Sequence, residues 1–333
     1  MGILLILVFC LFPFWGRDYF HYMEAFRDVK IGSRSNLEPF YEWIIVNVAD
    51  YYVVFRLIVW GLALILLLYA YKRVFRSFDL SLFYFAALYL PWFSYARASL
   101  AISSIILGIT FLTKPLRRSS LLSILIGFSL IAISIFFHRS AVLGIAAVVG
   151  SILIVGDNKY KLLLILVSLP VAVYFVSHYM DTILLQFIGM DSDMDVFFSE
   201  RKVNGYLMGE SNERGLGGLL GDFLNRGAVL IMPIAYTVLV FKGYYQQFNR
   251  VEKLVSAYTL CVIFLAIGLV SVGDYNMNVL FYRTLFFSYP ANAVFLMSIK
   301  NRNLIKGIYG VIYYVGIVGS MYALVYSTYC ALF

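Results

Sequence analysis

Arginines interrupt apolar runs at several places in this sequence, and those interruptions are where its chemistry is legible. Arg97 stands in PWFSYARASLAISS, inside a run from Leu80 to Thr113 that carries no other full charge. His138 and Arg139 break IAISIFFHRSAVLGIAA, and Arg283 lies in DYNMNVLFYRTLFFSYP. An ionisable side chain at membrane depth costs on the order of 2.5–3.5 kcal/mol unless it is paired or faces a polar cavity. Taken singly, each arginine has an ordinary explanation: it snorkels to headgroups or pairs with an acid at the same boundary. Together they suggest a pocket, because a planar guanidinium grips phosphate oxygens two at a time. The chemistry is recognition of a lipid-linked phosphate or pyrophosphate, with Arg56, near the start of its own apolar run, as a weaker fourth candidate.

Acids and aromatics cluster in two further stretches. GRDYFHYMEAF carries Asp18, Tyr19, His21, Tyr22 and Glu24. SNLEPFYEWIIVNV reads as an N-capped amphipathic helix lying at a membrane interface, with Pro39 at its first position and Glu38 and Glu42 one turn apart. Its tyrosine and tryptophan suit headgroup depth. A general base could be among these acids.

The elements that position these residues follow from composition. The chain has 333 residues, of which 62% are hydrophobic and 13% charged, and a mean hydropathy of +0.86. That is too little polar surface to clothe a soluble globule, so the chain is expected to be a single all-α, polytopic membrane domain over residues 1–333. With about 20 apolar residues needed per crossing, about eleven spans are expected near 2–15, 52–71, 80–95, 98–113, 120–137, 140–155, 162–178, 228–241, 254–271, 279–299 and 307–331. The first span lacks the basic flank and small-residue cleavage site of a signal peptide and is read as a retained helix.

Charge then orients the bundle. Lys72, Arg73, Arg76, Lys114, Arg117, Arg118, Lys159, Lys161, Lys242, Arg250, Lys253, Lys300, Arg302 and Lys306 fall in connections on one side, where only Asp79, Asp157 and Glu252 oppose them. The positive-inside rule makes that side cytoplasmic, which puts the N-terminus in the cytoplasm and the C-terminus outside. The long polar segments, 16–51 with its interfacial helix and 179–227, then lie outside together with His21, His138 and His178. The net charge of +8 reflects this asymmetry and points to membrane lipids as partners, not nucleic acid.

Several chemistries are excluded. The short inner connections, such as KPLRRSS and GDNKYK, hold no phosphate-cradling glycine loop for a nucleotide. An EF-hand loop begun at Asp191 would need Gly and Glu where Val196 and Lys202 stand. GLGGLLG, residues 215–221, has Leu220 where a dinucleotide fingerprint needs its third glycine. Cys10, Cys261 and Cys330 sit in apolar segments without ligand spacing, so neither a metal nor a cofactor is expected.

The ordered set GRDYFHYMEAF, LEPFYEW, ARASLA, FFHRSA and FYRTLFFSYP, spread from about residue 16 to residue 290, resembles the EpsG-like branch of Wzy-type polysaccharide polymerases. Ala98 follows Arg97 where that family often carries Gln, so no side-chain amide contact is expected there. The resemblance implies a multi-pass protein of the bacterial cytoplasmic membrane that joins undecaprenyl-pyrophosphate-linked oligosaccharides at the outer leaflet, with a chain-length regulator protein as a candidate partner. It assigns Arg97, Arg139 and Arg283 to the pyrophosphate, with Arg56 in support. Asp18 is the first choice for base, Glu38 the second, and His138 a hydrogen-bond partner or alternative base. Tyr19, Tyr22, Trp43 and Tyr282 are candidates for stacking on sugar rings. Two other classes stay open: a flippase of the lipid-linked oligosaccharide, which should show broken midplane helices and an internal repeat, and a membrane O-acyltransferase using His138. An intramembrane serine protease is disfavoured by the lack of a Gly-x-Ser-x-Gly element.

Overall fold

The computed structural model describes residues 19–33, 37–75, 78–90, 96–113, 118–155, 226–270 and 283–332, with isolated positions at 168, 171 and 281. Every regular element among the described residues is helical. A short α1 (Tyr19–Lys30) and the interfacial α2 (Pro39–Asn47) precede the first long helix, α3 (Tyr52–Val74). Then come α4 (Asp79–Leu88), α5 (Ala96–Phe111), α6 (Arg118–Phe137) and α7 (Ala141–Ile154). The last group is α8 (Met232–Phe241), α9 (Arg250–Val270), α10 (Tyr289–Asn301) and α11 (Lys306–Leu332). Among the described residues, two stretches, α3 and Arg250–Gly268 within α9, are long and apolar enough to cross a membrane, and several shorter apolar helices accompany them.

The centre of the bundle is α5. Packed against α3 and α6 and touching α7 and α9, it is buried from Ala98 through Thr110. Small residues allow this. A Cβ on Gly108 would lie 2.8 Å from the Gly127 carbonyl oxygen, and one on Gly127 would lie 2.9 Å from that of Gly108, so backbone meets backbone where α5 crosses α6. Ser104 adds a hydroxyl hydrogen bond across the same crossing, 2.7 Å to the Leu130 carbonyl. Leu121, Leu122, Leu125, Phe128 and Phe136 of α6 point outward instead, the surface expected to meet acyl chains.

Two expected spans differ from the structure. The span expected over 80–95 has its helix end at Leu88, closed by a turn in which Tyr89 and Leu90 both donate backbone N–H groups to the Phe85 carbonyl. The span expected over 279–299 is not continuous. Phe287 and Ser288 donate to the Thr284 and Leu285 carbonyls in i to i−3 turns, and Pro290, which has no N–H to continue a ladder, opens α10, buried from Tyr289 through Ile299. The expected span of 2–15 and most of 162–178 lie outside the described residues.

Basic residues mark one end of the bundle. Arg73, in the last turn of α3, donates to the Thr110 side chain at 3.0 Å and carbonyl at 3.4 Å, satisfying the C-terminal end of α5. Arg302 donates to both oxygens of the buried Glu252, at 3.0 and 2.7 Å, and ties the end of α10 to the start of α9. The first turn of α5 and the α6–α7 turn, at the opposite ends of these helices, hold Arg97 and His138.

Candidate functional site

Three motifs far apart in the chain meet on one carboxylate. Glu38 caps the start of α2 through its backbone, which is extended there, but its side chain makes no capping hydrogen bond. It turns inward, where its Oε2 accepts from Arg97 Nη1 at 2.9 Å and its Oε1 lies 3.2 Å from His138 Nδ1. The Glu38 side chain is only 6% exposed, that of Arg97 17% and that of His138 15%.

The local sequence explains the positioning. Pro39 starts α2 without needing an N–H, and the buried Tyr41, Ile44 and Ile45 seat the helix on the bundle. Phe40 meets Phe137, the last residue of α6, edge to face at 4.8 Å, which holds the α6–α7 turn and its His138 beside Glu38. Tyr41 donates its hydroxyl to the Arg97 carbonyl at 3.1 Å and pins the first turn of α5. From α1, Tyr22 accepts from Arg97 Nε at 3.3 Å and sets its ring 5.1 Å from the guanidinium. Tyr22, Phe26, Tyr41 and Phe55 belong to the same apolar core that shields the cluster.

Electrostatics fix the protonation of the cluster. Burial alone would raise the Glu38 carboxyl, but the His138 hydrogen bond and the positive charge of Arg97 outweigh it and hold it at about 2. Glu38 is therefore ionised and can only accept, so His138 presents Nδ1–H to it. Burial lowers the His138 imidazole. The Glu38 hydrogen bond and charge pull it back up, Arg97 and Arg283 push it down, and the net shift is downward. At neutral pH the histidine is uncharged, with its second nitrogen unprotonated.

Among the residues singled out from sequence, Glu38, Arg97, His138 and Tyr22 come together directly. Arg283 is exposed and close enough for its charge to act on His138, and Arg139 is exposed next to it in the chain. Arg56 is in the first turns of α3, buried, with its guanidinium 5.5 Å from the Trp60 ring and 6.0 Å from that of Tyr52. Trp43 is 58% exposed on the outer side of α2, as an interfacial anchor would be. Asp18, Tyr282 and the side chain of Tyr19 lie outside the described residues. One residue of the cluster went unnoticed in the sequence: Tyr41 gave no signal beyond its place in LEPFYEW.

The five motifs that converge here or flank this cluster are those through which the sequence resembles one family, and the EpsG family matches residues 1–331. The chain belongs to the EpsG family. It is thereby a membrane protein of an EpsG-like polysaccharide polymerase family. No curated protein and no solved structure matches the chain. In this EpsG-family member, among the described residues, no group of three or more His, Cys, Asp or Glu side chains could hold a metal ion. What the cluster offers instead is a fixed negative charge, a fixed positive charge and a neutral imidazole in hydrogen-bonding contact, with two exposed arginines at its edge.

Proposed function

We propose that this EpsG-family protein polymerises oligosaccharide repeat units carried on undecaprenyl pyrophosphate, at the outer face of the bacterial cytoplasmic membrane. The observation that carries the reading is the convergence of Glu38, Arg97 and His138 from three separate motifs at the end of the bundle opposite its basic connections. The hydroxyl of an acceptor unit attacks the anomeric carbon of a donor unit, and the donor leaves with its lipid pyrophosphate. Such a reaction needs cations where charge develops on the leaving group. Arg139 and Arg283, being exposed, are placed to contact the diphosphate, while Arg97 contributes from behind with its guanidinium engaged by Glu38 and Tyr22. Arg56 adds positive potential, and Tyr19, Tyr22 and Tyr282 supply aromatic faces for sugar rings. The glycosyl pyrophosphate bond is itself the activated linkage, so no nucleotide or acyl donor is required. A regulator of chain length would act on this reaction from outside the site.

The test is elongation by the purified protein in lipid nanodiscs supplied with lipid-linked repeat units alone. Longer saccharides and released undecaprenyl pyrophosphate are expected. Movement of the intact lipid-linked unit across vesicles without elongation would favour a flippase, and dependence on an acyl thioester would favour acyl transfer; either outcome overturns the proposal.

A further inference from the structure

We infer that His138 is the general base of the transfer and that Glu38, the acid facing it, is a positioning residue that fixes the imidazole's tautomer. This rests on the polymerase reading above. Of the three base candidates, Asp18 lies outside the described residues, so the geometry distinguishes the other two. Both Glu38 oxygens are already engaged, one by Arg97 at 2.9 Å and one by His138 at 3.2 Å, in a side chain only 6% exposed. A carboxylate so held is a poor proton acceptor, which its position at about 2 expresses in another form.

His138 has the complementary properties. Its Nδ1 is committed to Glu38, which leaves the Nε2 lone pair on the far edge of the ring, and its position between α6 and α7 sets it beside the exposed Arg139. When an acceptor hydroxyl attacks, its proton passes to Nε2. The new bond forms between that oxygen and the anomeric carbon, and the anomeric carbon–oxygen bond to the pyrophosphate breaks with its electron pair going to the phosphate. The imidazolium so formed is stabilised by Glu38 more strongly than the neutral ring was, an interaction that grows toward the transition state. Arg97 keeps Glu38 ionised throughout.

The groups facing His138 set its acid limb: Glu38 from α2 raises its affinity for a proton, whereas Arg97 from α5 and Arg283 from the segment before α10 lower it. Tyr22 and Tyr41 complete the cluster, the first accepting from Arg97 Nε and the second donating to the Arg97 carbonyl. The experiment is the pH dependence of elongation by purified wild type, His138→Ala, Glu38→Gln and Arg97→Gln on lipid-linked repeat units, with thermal melts of each. His138→Ala is expected to lose about 10²- to 10⁴-fold in rate. The residual rate of Glu38→Gln should show its acid limb moved to lower pH, and that of Arg97→Gln to higher pH. If a group other than His138 set the acid limb, neither substitution would move it in this opposed way. If wild type elongates while His138→Ala keeps both its rate and its acid limb, or if the limb stays put in Glu38→Gln, the inference is overturned and the polymerase reading stands. If wild type does not elongate, the polymerase reading itself falls. Should His138→Ala fail to fold, the limbs of Glu38→Gln and Arg97→Gln decide the question.

Discussion

Glu38 is a buried charge with two partners, and its energetics follow from what each partner leaves behind. Removing it strands the Arg97 guanidinium in a largely buried position, a change that costs about 3–5 kcal/mol where a buried pair is broken on one side. Glu38→Ala should therefore melt well below wild type, and Glu38→Leu with Arg97→Met should recover much of the loss, because no lone charge then remains. The pH dependence has a definite sign. The folded-state carboxyl is depressed from 4.5 to about 2, so its contribution is complete above 4.5 and is lost as pH falls toward 2. Melting curves across that window should show wild type losing more stability than Glu38→Gln. Equal losses would mean that the carboxylate is not held as described. Arg97 was legible from sequence because a lone cation in an apolar run demands a partner. The partner was not, since Glu38 is 59 residues from Arg97 and 100 from His138, and nothing local encodes which of many acids reaches which cation.

At the scale of elements, the cluster depends on how closely α5 and α6 approach. Arg97 begins α5, and His138 follows the end of α6, so any wedge between these helices pulls the two apart. Gly108 and Gly127 are the contact where a wedge is easiest to insert, because the atoms a new Cβ would strike include the facing backbone carbonyl, which cannot rotate aside. Gly127→Ala should cost about 1–3 kcal/mol as overpacking and should reduce elongation beyond what the loss of folded protein explains. Thermal melts and rates normalised to folded protein check this, and an unchanged rate per folded molecule would detach the crossing from the site. Hydropathy predicted most of the helices of the bundle, both members of this crossing included, since α3, α5, α6, α7, α9 and α11 begin and end within a few residues of the expected spans. It failed at α4 and before α10, where apolar residues continue past a backbone turn. Hydropathy registers side-chain polarity, whereas those boundaries are set by Pro290 and by the backbone hydrogen bonds that Tyr89, Leu90, Phe287 and Ser288 donate in their turns.

At the scale of the whole molecule, the bundle has two chemically distinct ends, and the proposed reaction needs them to face opposite sides of the membrane. At one end Arg73 closes α5 and Arg302 locks onto Glu252, among exposed Lys242 and Lys306; at the other, Glu38, Arg97 and His138 meet beneath the exposed faces of α1 and α2. If the positive-inside bias holds here, the first end faces the cytoplasm. Cysteine labelling tests this directly in a background with Cys10, Cys261 and Cys330 replaced by serine or alanine. Ile31, 75% exposed after α1, and Trp43, 58% exposed on α2, should react as Ile31→Cys and Trp43→Cys with an impermeant maleimide added to intact spheroplasts. Lys242→Cys and Lys306→Cys should react only after the membrane is opened. The reverse pattern would put the carboxylate–imidazole cluster in the cytoplasm, where a lipid-linked donor presented at the outer leaflet could not reach it, and would exclude the proposed polymerisation whatever the geometry of the site.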